Sequence, residues 1–224
     1  GIIDRVDVCE IDDKKYVRII DYKTGKKQLE LKDVYNGINL QMILYLMAVT
    51  NNIENAEPAG VLYMPAIYIN KKNDRSFEDD NSINKSQEEI LKDKWKELKK
   101  NGLIVRYDNP DLMKDMTNAT YIHVKNKTKA DGISDIMPYD AYEKLEDFAK
   151  NKLIEMADSL KQGNIQAIPK GEKGRLACEY CDYWSVCGNY NTDKAQLIDK
   201  ADADKLREII GIKLTDEAGE EDER

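Results

Sequence analysis

Asp4, Asp21 and Lys23 are the residues whose types and spacing could do hydrolytic chemistry in this chain. Val17, Ile19, Asp21 and Lys23 share one face of an extended run, because side chains alternate with a period of two along a strand. Ile2, Asp4, Val6 and Val8 line one face of the preceding run in the same way. Asp12-Asp13-Lys14-Lys15 between the two runs is a turn signal, which predicts a β-hairpin. A two-residue turn centred on Asp12-Asp13 sets Asp4 opposite Asp21, and a four-residue loop sets it opposite Lys23. A three-residue bulged loop would separate the groups. Paired carboxylates suit a hard cation such as Mg²⁺, which binds through one or two carboxylates and keeps several waters. Side by side they resist joint ionisation unless a cation is present. Lys23 adds a compact positive charge that can face a phosphate or an attacking water. An Asp-x-Lys on its own reads as a solvated hairpin. Joined to Gly1-x-x-Asp4 upstream and Gln41-x-x-x-Tyr45 downstream, it points to metal-dependent phosphodiester cleavage.

Cys178, Cys181 and Cys187 form a second constellation. Thiols with two and five residues between them are poor core packing and good soft-metal ligands, and iron–sulfur clusters are held by four thiolates. A zinc-ribbon-like binding module would need a fourth ligand close by, and none is found. The single histidine, His123, reads as a strand or surface residue and Cys9 as a small buried hydrophobe. Asp7 faces away from Asp4 and reads as a salt-bridge partner or an indirect support of the site rather than a direct ligand, and Trp184 reads as packing for the cysteine loop.

The elements that must position these groups follow from periodicity. Asp33 to Thr50 reads as one helix, with Asp33 as N-cap, Leu40, Leu44, Met47 and Ala48 toward the core, and Gln41 stacked on Tyr45 one turn on. Gly60 to Ile69 reads as a central strand and Lys71 to Lys85 as a polar loop. Gln87 to Lys100 reads as an amphipathic helix closed by Gly102. Asp108 to Asp131 looks irregular apart from a strand at Tyr121 to Val124. Asp140 to Gln162 reads as a long helix packing through Tyr142, Leu145, Phe148, Leu153, Met156 and Leu160, and Asp202 to Ile210 as a short one.

With 224 residues, 41% of them apolar, there is chain enough for one good-sized core. No run approaches a membrane span and there is no signal-peptide pattern. Clustered cysteines imply a reducing, cytoplasmic compartment rather than a disulfide framework. The net charge of −8 speaks against a general polyanion binder. Residues 214–224 hold six acids and one arginine, however, so the remainder carries only −3. Contact with DNA must then use local patches. Lys23, Lys26 and Lys27 form one, Lys125, Lys127 and Lys129 another, and Lys170, Lys173 and Arg175 a third. For each set a plain solvated surface is the default reading, and only the first gains from its neighbours.

The order Gly-x-x-Asp, Asp-Tyr-Lys, Gln-x-x-x-Tyr resembles the RecB branch of the PD-(D/E)XK nuclease superfamily. With Cys-x-x-Cys-x-x-x-x-x-Cys downstream, it resembles the iron–sulfur nuclease domains of AddB-type helicase–nuclease subunits over about residues 1 to 190. The resemblance implies an α/β, restriction-endonuclease-like mixed sheet flanked by helices. It implies a nuclease-like domain over 1–192 with its cysteine segment at 176–188, a helical extension over 193–213, and an acidic disordered tail over 214–224. It makes Asp4 and Asp21 metal ligands, Lys23 the catalytic lysine, and Gln41 and Tyr45 the helix pair that supports the site and meets nucleic acid. The implied function is a Mg²⁺-dependent deoxyribonuclease acting on single strands from an unwound duplex, beside an AddA-like partner subunit. The implied cofactor is a [4Fe–4S] cluster on Cys178, Cys181, Cys187 and an upstream cysteine. Relatives of this kind also carry a site residue on a helix before the Gly-x-x-Asp strand. Opening on Gly1, the chain is expected to be a piece of a longer protein, weakly active and unable to close the cluster alone. The alternative is a non-catalytic module that holds DNA ends and docks a partner subunit.

Overall fold

The computed structural model describes residues 1–24, 27–66, 100–117, 136–172, 175–187 and 195–212. The expected loop at Lys71 to Lys85, most of the helix at Gln87 to Lys100, the strand at Tyr121 to Val124, His123 and the acidic tail lie outside these residues. So do Lys26, Lys125, Lys127, Lys129 and Lys173 and the side chains of Arg175 and Trp184. Two compact units divide the chain. Gly1–Leu29, Gln41–Thr128 and Ile133–Tyr139 build the first; Glu30–Leu40, Lys129–Gly132 and Asp140–Arg224 build the second.

The first unit is a five-stranded mixed sheet in the order β1-β2-β3-β4-β5, flanked by helices. Its strands are β1 (Arg5–Ile11), β2 (Lys14–Lys23), β3 (Ala56–Pro65), β4 (Asn101–Arg106) and β5 (Ile136–Pro138). β1 pairs antiparallel with β2, β2 parallel with β3, β3 antiparallel with β4, and β4 parallel with β5. Parallel neighbours need a covered crossover, so β2 and β3 are buried on both faces and read as apolar runs rather than alternations. One face carries Tyr16, Ile20, Ala59, Leu62 and Ile104, packed under Leu112 and Met116 of α3 (Pro110–Met116). The other carries the buried Val17, Ile19, Val61, Leu103 and Val105. The helix α2 (Gln41–Thr50) packs on β2 and β3.

The second unit holds α1 (Leu31–Tyr35), the long α4 (Tyr139–Lys161, of which Tyr139 belongs to the first unit), α5 (Trp184–Cys187) and α6 (Ala201–Ile210). A small sheet, β7-β6-β8, joins β6 (Lys170–Glu172), β7 (Arg175–Leu176) and β8 (Gln196–Leu197). Here α1 and α6 pack together, and the buried Asp202 accepts a hydrogen bond from Asn36 Nδ2 at 2.9 Å.

Several expectations are corrected. The helix expected over Asp33 to Thr50 is two helices, because the chain turns left-handed at Gly37 (φ 77°) and Asn39 (φ 58°), which cannot continue a right-handed helix. Asp33 therefore lies inside α1, whose N-cap is Glu30. Along α2 the buried set is Met42, Ile43, Leu46 and Met47, while Leu44 is half-buried and Ala48 exposed. β3 starts four residues earlier than expected and ends at Pro65. Gly102 does not cap a helix. It sits in β4 with φ 150°, so close to β3 that a Cβ would fall 2.2 Å from the Val61 carbonyl oxygen. The stretch after Asp108 contains α3, started by the Asn109 side chain accepting from Leu112 N–H and by Pro110 in the first turn. Only the first half of α4 is buried, at Ala141, Tyr142, Leu145 and Ala149; Leu153 and Leu160 are exposed.

Candidate active site

The hairpin fixes the site. Asp12 (φ 50°) and Asp13 (φ 62°) are both left-handed, as a type I′ two-residue turn requires, and Ile11 pairs with Lys14 across it. Of the three loop lengths open to the sequence, the two-residue turn is the one adopted. Its register runs unbroken to Arg5 opposite Ile20, and Asp4 is the bend residue just before that ladder. Asp4 Oδ2 accepts the Tyr22 N–H at 2.9 Å, which ties the residue before β1 to the end of β2.

Asp21 is buried, 5% exposed, in the second strand of the sheet. Its Oδ2 lies 2.6 Å from Lys23 Nζ, an ionic contact whose geometry is not that of a hydrogen bond, and no other donor among the described residues reaches this buried oxygen. A buried acceptor without a donor costs about 1–3 kcal/mol. Asp21 thus keeps a lone-pair position open, one residue from the Tyr22 N–H that Asp4 accepts.

Gln41 is exposed at the start of α2, and its Nε2 donates to Tyr45 Oη at 3.0 Å, the four-residue stacking expected from the spacing. Gly1 is pressed against the same tyrosine: a Cβ there would fall 2.1 Å from Tyr45 Oη. The glycine of Gly-x-x-Asp thus lets the segment leading to Asp4 lie against Tyr45, which places the α2 pair beside the Asp4 segment.

Two residues on this face escaped the sequence reading. Asp21 is level with Tyr63 across the parallel pairing, and Tyr63 is level with Asn101. Tyr63 is buried, and Asn101 Oδ1 is a second buried oxygen with no donor among the described residues. Finding them needs the parallel register, which no local pattern encodes.

Asp7, on the opposite face, bridges Arg5 and Arg18, as its face assignment predicts. Burial raises its pKa, but the hydrogen bonds from Arg5 and Arg18 outweigh this and hold the carboxyl below the ordinary range. Cys9 is exposed on β1, not buried, because the edge strand has nothing outside it among the described residues. Lys170 donates to the Asn36 carbonyl at 3.0 Å, a contact internal to the second unit.

The cysteines contrast with the carboxylates. Cys178 lies in a 3₁₀ turn (Ala177–Tyr180), Cys181 follows it and Cys187 ends α5. All are free thiols; Cys181 and Cys187 are exposed and Cys178 is half-buried. Among the described residues, no three His, Cys, Asp or Glu side chains are gathered so as to hold a metal ion. Nor is any helix among them long and apolar enough to cross a membrane.

Comparison with known proteins bears on this geometry. The chain is 34% identical to an ATP-dependent helicase/deoxyribonuclease subunit of Clostridium botulinum (strain Hall) over 223 aligned positions, covering 90% of this chain and 18% of that protein. It is 33% identical to the subunits of the same name in Clostridium perfringens (strain 13) and Thermoanaerobacter sp. (strain X514), in each case over 84% of this chain and 16% of the relative. The chain spans less than a fifth of these relatives' length. A family model, the PD-(D/E)XK nuclease superfamily, matches residues 1–188. That match takes in the hairpin, the Gln41–Tyr45 helix and all three clustered cysteines, and by it the chain belongs to the PD-(D/E)XK nuclease superfamily.

Proposed function

We propose that this chain is a Mg²⁺-dependent deoxyribonuclease domain, acting on single-stranded DNA delivered by a helicase for the processing of double-strand ends. In that role it works in an assembly with an AddA-like subunit. The observation that carries the reading is the buried Asp21 oxygen that, among the described residues, only Lys23 approaches, with the Asp4 carboxylate bonded to the N–H of the next residue, Tyr22. This donor set fits a hard cation: Asp4 and Asp21 would hold it and leave positions for water and phosphate oxygens. When bound, such a cation supplies Lewis-acid polarisation of the phosphate and a more acidic water.

The chain's own groups do the rest. Lys23 holds a positive charge beside Asp21, where developing negative charge on the phosphate can be met. Gln41 donates to the Tyr45 oxygen, which leaves the phenol hydrogen of Tyr45 free to bond a phosphate oxygen. Gly1 keeps that phenol close to the Asp4 segment.

The test pairs binding with cleavage. Calorimetric titration should show Mg²⁺ or Mn²⁺ binding that Asp21→Asn abolishes, and labelled single-stranded DNA should be cut by the wild type and not by Lys23→Ala. Cleavage that survives both substitutions would place the chemistry elsewhere.

For the cysteines the described residues do not fit a cluster closed within this chain, since three thiols are not gathered and Cys9 belongs to the other unit. A [4Fe–4S] cluster would need a fourth thiolate from elsewhere in a longer protein. Anaerobic iron and sulfide reconstitution of a full-length relative should give broad absorbance near about 400 nm, characteristic of thiolate-bound iron. Four sulfur-bound zinc contacts instead would overturn the iron–sulfur assignment.

A further inference from the structure

Arg5, Arg18 and Lys100 gather on the face of the sheet opposite Asp21. Arg5 pairs with Ile20 and Arg18 with Asp7, so both side chains project from the face that Asp21, next to Ile20, does not share. Asp7 takes a hydrogen bond from each, at 2.6 Å from Arg5 Nε and 3.0 Å from Arg18 Nη2. Lys100, immediately before β4, stands close enough to both arginines for their charges to act on it. Burial lowers its pKa most, and Arg18 and Arg5 lower it further against the opposing pull of Asp7.

The charges do not balance. Three cations meet one carboxylate, and counting Asp115, which lines a cleft of about 140 Å³ with Asp7 and Arg18, still leaves an excess of one among the described residues. Among those residues the Lys100 ammonium makes no ion pair and no hydrogen bond. Arg18 Nε is a buried donor with no acceptor there, although the guanidinium is otherwise bonded to Asp7. Unpaired buried donors and crowded cations are costly, and an arriving anion with several acceptor oxygens relieves both costs together.

We propose that Arg5, Arg18 and Lys100 form a second phosphate-binding site, distinct from the Asp4–Asp21 face, that grips the backbone of a nucleic-acid strand at the β1 edge. A phosphodiester fits because it accepts from a guanidinium fork and an ammonium at once. Asp4 and Arg5 are adjacent in the chain, and β1 is the edge strand among the described residues, so one polynucleotide rounding that edge can meet both faces. The choice of nucleic acid as occupant rests on the nuclease reading; the anion site itself does not.

The test is binding of a fluorescent single-stranded oligonucleotide to the 224-residue chain in EDTA, followed by anisotropy across a salt series. Arg18→Gln with Lys100→Gln should weaken binding about tenfold and flatten the salt dependence by about 0.7–1.4, one or two phosphate contacts on a single strand. Asp7→Asn removes the carboxylate that competes for the arginines and should tighten binding by about threefold or more. A purely structural role predicts no such gain. Lys14→Gln, whose partner is Glu57 outside the cluster, should change little. The proposal fails if the double variant keeps wild-type affinity and slope, if the wild type does not bind at low salt, or if Asp7→Asn fails to tighten binding. A loss seen only with 5′-phosphorylated oligonucleotide would overturn the backbone assignment in favour of a terminal phosphate. Because no metal is present, these results are independent of cleavage: a chain that binds as described yet never cuts refutes the nuclease reading alone.

Discussion

The hairpin residues and the cysteine segment are both spelled out by short motifs, yet only the first are set by strand pairing. Asp21 sits in a strand held on both sides, and Asp4 adjoins a ladder of seven uninterrupted pairs and accepts the Tyr22 N–H. Cys178, Cys181 and Cys187 lie on a 3₁₀ turn, the residue after it and a four-residue helix, with two of the three thiols exposed and no set of three ligands formed among the described residues. The difference is one of where the ordering energy comes from. Sheet pairing would pre-order the proposed oxygen ligands before any ion arrives, so that ordering entropy is met by folding. Thiol sites on short elements are commonly ordered by the metal itself, and their binding energy is then folding energy.

The largest effect expected from this contrast is at Asp21. Asp21→Asn keeps the shape but removes the charge a cation would bind, so Mg²⁺-dependent cleavage should fall by about 10²-fold or more, on the order of 2.7 kcal/mol of barrier. Lys23→Ala should fall comparably, with circular dichroism unchanged. Loss of the fold instead would mean that the Asp21–Lys23 pair holds the sheet together rather than serving a site.

That the hairpin was legible and the rest of its row was not has a plain physical reason. A turn carries its instruction in adjacent residues, so the hairpin could be read, while its loop length, and with it whether Asp4 faces Asp21 or Lys23, stayed open. Asn101 enters the same face only through two further pairings, parallel then antiparallel, and these depend on segments far apart in sequence. Similarly, β4 went unread because Asn101 and Gly102 look like a helix end, and the Gly102 conformation makes sense only with β3 alongside. The break between α1 and α2 was within reach: Gly37 and Asn39 are turn residues, outvoted by a continuous apolar spacing.

Next in size is the second unit's own anchor. Asp202 is buried, accepts from Asn36, Lys205 and the Asp199 N–H, and joins α6 to α1. Asp202→Ala should cost about 1–3 kcal/mol in chemical denaturation. Burial pushes this carboxyl's pKa up, but its hydrogen bonds from Lys205, Asn36 and Asp199 more than compensate and leave it below the ordinary 3.8. A depressed folded pKa gives stability that is fully present above 3.8 and is lost as pH falls through the folded value. The wild type should therefore lose stability in acid more steeply than Asp202→Ala. Parallel acid profiles would show that this carboxylate is not the anchor.

A gain is expected at the turn that sets the site. Asp12→Asn with Asp13→Gly keeps a type I′ turn and relieves left-handed strain at two non-glycine residues, which should stabilise the first unit by about 0.5–1 kcal/mol. Because Ile11–Lys14 pairing is unchanged, cleavage and metal affinity should stay as they were. A lost activity would reveal that the register slips when the turn is altered, and with it the alignment of Asp4 and Asp21.

The smallest effect tests the other side of the contrast. Cys181 and Cys187 are exposed free thiols, so they contribute little packing, and removing a sulfhydryl from solvent-facing positions changes few contacts. Cys181→Ser and Cys187→Ser should each leave the stability of this chain within about 0.5 kcal/mol, the usual range for surface substitutions. Both thiols should also react promptly with a thiol reagent, faster than the half-buried Cys178. In a protein that completes a four-thiolate cluster the same substitutions should be severe, because each removes a ligand whose binding energy holds the segment in place. A loss of more than about 1.5 kcal/mol in this chain, beyond the ordinary surface range, would mean that the cysteine segment is organised by its own residues after all. The two motifs would then be ordered by the same kind of force, and the distinction between residues set by strand pairing and a thiol segment that a metal would order would fall.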